Sequence, residues 1–236
     1  MPGTLPDISA NQAARIAGAS WLLIILTGIA AEFFIRMPLI VSGDAAATAA
    51  NILASEGLFR LGIALDIVML VFDIVATVAL YALFRRVHHS LALLAAFFRL
   101  VMDAVLAANL VNLVLALLFL NAGEGQTGGE LQGMAQVFLD AHGSGYDIAL
   151  IFFGLHCFIL GGLIYRSGFV PRALGLLLLL ASLGYLIDSF AHLLLPQGSP
   201  LLGVSAAALI GLAVAAELVL SLWLLVRGAG EARSAV

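Results

Sequence analysis

Lysine is absent from the chain, and all ten basic residues are arginine, which reads as a bias of genome composition. Charge of either sign is scarce, at 10% of residues, where a soluble domain carries about a quarter. Cysteine occurs once, as Cys157, which excludes an internal disulfide and a thiolate metal cluster. No basic patch and no aromatic–basic interleaving is present, so a nucleic-acid reader is excluded. A His-Glu-x-x-His motif, a nucleophile elbow and a phosphate loop are also missing.

Long apolar runs fill the space left by charge. Hydrophobic residues make up 63% of the 236, which places the protein in a membrane and makes lipid its first partner. Six spans are expected, at about 13–36, 57–86, 88–120, 146–166, 172–195 and 201–227. Arg15 and the step Gly28-Ile29-Ala30 have features of a signal peptide and its cleavage site. The run continues through Phe33 and Phe34, however, so it reads as an uncleaved first helix that Pro38 closes. Asp44 is placed to cap a short helix ending at Ala54. Residues 130–141 are mildly amphipathic and read as a segment on the membrane surface.

Arginine counting sets the orientation. With the N-terminus inside, cytoplasmic ends hold Arg15, Arg85, Arg86, Arg166, Arg172, Arg227 and Arg233, against Arg36 and Arg60 outside. The expected fold is therefore an all-α polytopic bundle of six transmembrane helices in the cell inner membrane, both termini cytoplasmic.

Ionisable groups inside membrane helices are costly and mark sites. His156 falls in the fourth span, Tyr185, Asp188 and His192 in the fifth. Asp66, Asn109 and Asn112 lie in the outer halves of spans two and three; Glu32 and Asp147 lie near the outer ends of spans one and four. These nine residues are expected to share one cavity opening outward. Arg99 and Asp103, four apart, read as an ion pair within one helix. His142 reads as a loop residue. The stripe Gly203, Ala207, Gly211 and Ala215 reads as a close helix contact.

Three readings fit the outer cluster. It binds a small or lipidic ligand, a cation or a proton. Or it is the centre of a metal-dependent membrane hydrolase, with His156, Asp188, His192 and Asp66 around zinc. Or it is a hydrogen-bond network of a structural or accessory subunit. Nothing in the sequence requires a cofactor, and His156 and His192 are offset in depth, which argues against bis-histidine haem.

The runs Leu155–Gly168 (LHCFILGGLIYRSG), Pro171–Gly175 (PRALG) and Gly184–Ser189 (GYLIDS) resemble a bacterial multi-pass membrane family known as domain of unknown function 4386. The opening Arg15-Ile16-Ala17-Gly18 and the step Glu32-Phe33-Phe34 are similar to it too. The resemblance implies a bacterial cytoplasmic membrane protein of about this length, and no activity. His156, Tyr165, Ser167, Pro171, Gly175, Tyr185 and Asp188 match the family's pattern. Turn geometry accounts for residues 165–171, and leaves His156, Tyr185 and Asp188 without such an explanation.

Overall fold

A computed structural model describes residues 8–123, 129–196 and 199–229, with 200–210 described by backbone alone. Helix α1 (Ala10–Leu39) is followed by a short α2 (Ala45–Ala54), then α3 (Glu56–Phe84), α4 (His89–Ala122), α5 (Glu130–Ser167), α6 (Arg172–Leu194) and α7 (Pro200–Arg227). Local chemistry sets several ends. The Ser9 hydroxyl and Gln12 form a capping box at the start of α1. The Asp44 carboxylate accepts from Ala47 N at 2.8 Å and starts α2, as expected. Gly168, at φ +73°, ends α5 in the left-handed conformation, and Pro171 opens α6.

Among the described residues, five of these helices, α1, α3, α4, α5 and α6, are long and apolar enough to cross a membrane. This corrects the expectation of six. The range 201–227 does form a helix, but its described side chains run only from Gly211 to Arg227 and include Glu217. Arginine counting put both termini on the cytoplasmic side, whereas five crossings, the number among the described residues, would not.

The helices close into a ring. α1 packs on α3, α3 on α4, α4 on α5, α5 on α6, α6 on α7, and α7 returns to α1. The ring is inside-out relative to a soluble bundle. Leu26, Phe34, Val78, Phe97, Leu118 and Leu194 face outward, while Asp66, Asp73, Arg99 and Asp103 on the same ring are buried. That is the pattern lipid imposes: apolar side chains cost nothing outside, charges must be paired within.

Two departures in the helices shape the interior. Ala30–Arg36 is wound as a π-helix, and the Met37 N–H reaches back five residues to Glu32 O. The wider turn carries the helix past Pro38, which was expected to end it, to Leu39. The second departure is length. Residues 130–141, expected on the membrane surface, are instead the first turns of α5. Ala135 and Leu139 there join Ile52 of α2 and Leu117 and Leu120 of α4 in a second core at the α2 end of the bundle.

Glycines let α5 and α6 touch backbone to backbone. A methyl group on Gly161 would sit 2.8 Å from Gly175 O, and one on Gly175 would sit 2.7 Å from Gly161 O. Gly18 plays the same part between α1 and α7, where a methyl would meet Leu225 N at 2.5 Å. Only half of the stripe expected on the last helix falls among the described side chains. Gly203 and Ala207 lie outside the described side chains, Gly211 and Ala215 are exposed, and the buried face is Ala213, Ala216, Leu220 and Leu224. Gly161→Val is expected to push α5 and α6 apart and to cost about 1–3 kcal/mol, read as a lower midpoint of unfolding in detergent. An unchanged midpoint would show the seam to be slack.

Candidate functional site

The buried polar groups gather in three places, each defined by which helices supply them. At the α2 end, the π-turn of α1 aims Arg36 at α3. Its guanidinium donates to Asp66 Oδ2 at 2.5 Å and Oδ1 at 3.3 Å, and its Nε donates to Glu32 at 2.7 Å. Arg36 and Asp66 are buried, whereas half of the Glu32 side chain is exposed. Alongside, the Asn109 amide donates to His142 O and the Asn112 amide donates to Asn109 Oδ1, both at 2.8 Å. His142 is therefore a buried residue of α5, not a loop residue.

At the centre, Arg99 of α4 is fully buried and grips Asp73 of α3 with Nε on Oδ1 and a second N–H on Oδ2 at 3.1 Å. Its remaining arm lies 3.1 Å from His156 Nε2 on α5. His156 Nδ1 lies 2.9 Å from Ala95 O. A carbonyl only accepts and a guanidinium only donates. The ring thus carries its hydrogen on Nδ1 and accepts at Nε2. The guanidinium also lies 4.5 Å over the Trp21 ring, a cation–π contact. Trp21 Nε1 donates to Glu217 Oε2 at 3.0 Å, and the Tyr185 hydroxyl donates to Glu217 Oε1 at 2.5 Å. α1, α3, α4, α5, α6 and α7 all contribute to this one network.

The third place lies between α5 and α6. Asp147, Asp188 and His192 offer one ligand atom each, all within 4.8 Å of one another. Asp188 is buried, Asp147 half-buried and His192 exposed. His192 Nδ1 stands 3.6 Å from Asp188 Oδ2 and 3.0 Å from Asp188 O.

The nine residues singled out in the sequence divide among these places. Glu32 and Asp66 meet through Arg36, with Asn109 and Asn112 joined to His142. His156 and Tyr185 belong to the central network, and Asp147, Asp188 and His192 form the third group. Of the four residues named for zinc, only Asp188 and His192 come together. Both nitrogens of His156 are engaged by Arg99 and Ala95 O, and Asp66 is held by Arg36. The ion pair expected between Arg99 and Asp103 is replaced by Arg99–Asp73. Arg36, Asp73, Trp21 and Glu217 were not among the nine, although three of them are charged residues within or at the end of apolar runs.

Free volume inside the ring is small. Beside His156 a void of about 10 Å³ is bounded by Thr77, Tyr81 and Leu160. A larger groove of about 390 Å³ lies between α5 and α6, walled by Phe158, Gly162 and Leu179, with Arg166 beside it.

Apolar outward faces, five membrane-length helices among the described residues and ionisable side chains turned inward define a multi-pass all-α membrane protein. The chain belongs to the family described as a domain of unknown function, DUF4386, whose model matches residues 16–228. It is also similar to a protein of Archaeoglobus fulgidus named "Uncharacterized protein", 33% identical over 120 residues. That match spans 51% of this chain and 60% of the relative's length. No solved structure matches the chain.

Proposed function

We propose that this protein binds a divalent transition-metal cation, zinc in the first instance, at Asp147, Asp188 and His192. The observation that carries the reading is the convergence of one imidazole and two carboxylates from two helices, with ligand atoms within 4.8 Å. Two carboxylates and a neutral imidazole balance a charge of two, so the loaded site is electrically neutral where burial makes net charge costly. Nitrogen and carboxylate oxygen at about 2.0–2.2 Å are ordinary zinc ligands. His192, being exposed, lies on the side from which the ion enters. The arginines cluster at the other end of the α5–α6 hairpin, at Arg166 and Arg172. By the positive-inside rule the site then opens away from the cytoplasm.

Metal analysis of the full chain, purified in detergent and dialysed against zinc, tests this. Stoichiometric zinc is expected in the wild type, with loss in Asp188→Ala and in His192→Ala while the elution profile is unchanged. A metal-free wild type, or zinc retained in Asp188→Ala, would overturn the proposal.

A hydrolase is the second reading. Three protein ligands leave a fourth position open, as catalytic zinc requires. Its mark would be cleavage of a lipid ester by the zinc-loaded chain and none by Asp188→Ala.

A further inference from the structure

The central network holds one acid that its own partners do not account for. Asp103 lies one turn beyond Arg99 on α4 and is 5% exposed. Neither of its carboxylate oxygens has a hydrogen-bond partner among the described residues. The guanidinium one turn away is already committed: two of its nitrogens hold Asp73 and the third holds His156. Asp103 is nevertheless within electrostatic reach of both Asp73 and Arg99.

We propose that Asp103 is a reversible proton-binding site at the centre of the bundle. Counting charge leads there. Arg99 supplies the one positive charge and Asp73 cancels it; Glu217 is already a further acid in the network, so an ionised Asp103 adds an uncompensated negative charge in a buried interior. Buried charges are paired, metal-bound or neutralised. Pairing is used up, and the small void beside His156 is not lined by Asp103. A proton needs no cavity. Taking up one proton converts the carboxylate to a neutral acid and gives it a hydroxyl to donate, with the Asp73 carboxylate in reach to accept.

The other titratable or charged groups around the network among the described residues are Tyr146, His156 and Cys157 from α5, Tyr185 from α6 and Glu217 from α7, while α1 contributes Trp21. Glu217 differs from Asp103 because both of its oxygens receive donors, from Trp21 and Tyr185. Tyr81 and Thr77 line the void beside His156, and the Tyr81 hydroxyl stands 3.4 Å from His89 Nδ1.

Infrared spectroscopy of the full chain in phosphatidylcholine bilayers reads the proton directly. At neutral pH the wild type is expected to show the C=O stretch of a carboxylic acid, displaced by ¹³C-aspartate labelling and bleached as the pH is raised. Asp103→Asn, whose amide mimics the neutral acid in size and charge, is expected to fold and to lose the band. Glu217→Gln is expected to keep it. The proposal is overturned if the band is missing from the wild type or does not respond to ¹³C-aspartate. It is overturned equally if the band survives in Asp103→Asn, or if sodium at constant pH abolishes it. The labelling experiment needs only the wild-type chain and stands even if the variant does not fold.

Discussion

Arg99→Met is expected to destabilise the protein by about 3–5 kcal/mol, the cost of leaving a buried charge without its partner. Arg99 is fully buried and Asp73 nearly so, so water cannot replace the lost ion pair. Asp73→Leu should cost as much by the reverse route, stranding the guanidinium. The double variant Asp73→Leu/Arg99→Met should recover most of the loss, because removing both charges removes the desolvation penalty of each. Unfolding of the four proteins in mixed micelles, followed by far-ultraviolet circular dichroism, gives the cycle. Additive effects of the two single changes would show that the pair is not the unit holding α3 to α4. His156 adds to the expected loss, since Arg99 is also the donor at its Nε2.

Arg36→Met is the second large effect, expected at about 3 kcal/mol, the lower end of the range for a broken buried pair. It leaves Asp66 buried with no donor from α1, but the site lies at the bundle's end and Glu32 is half-exposed. Asp66→Asn should cost less, because the amide oxygen still accepts from Arg36. The same unfolding assay separates the two. Equal losses would mean that shape, not charge, couples α1 to α3 there.

The membrane class, the helical fold, most helix positions and the buried fate of Asp66, His156 and Asp188 were all legible in the sequence. Each follows from hydropathy and from the cost of a polar group in lipid, which are properties of single segments. The partners were not legible, because they depend on the rotation of one helix against another. Arg36 counted as an outer-surface charge until the π-turn swung it toward Asp66. One extra residue in a turn moves every later side chain by about 100°, and nothing local in Ala30–Arg36 announces it. The spacing of Arg99 and Asp103 suggested a pair within α4. Asp73 won that contest because, from a neighbouring helix, it meets the guanidinium two-pronged, a geometry that strengthens the bond. A single shared hollow was expected because depth alone could be read. Trp21 and Phe153 pack around His156 and Arg99 in the central network, while Asp66 and Asp188 find their partners elsewhere. The last helix shows the same limit: its apolar run was plain, but its count as a crossing was not.

Trp21 has a guanidinium above its face and a carboxylate on its N–H, and the chain holds one other tryptophan, Trp223. Indole emission shifts with the field across the ring. A Trp223→Phe background therefore leaves a native fluorophore seated between opposite charges, and its colour becomes a gauge of the interior's electrical state that needs no attached dye.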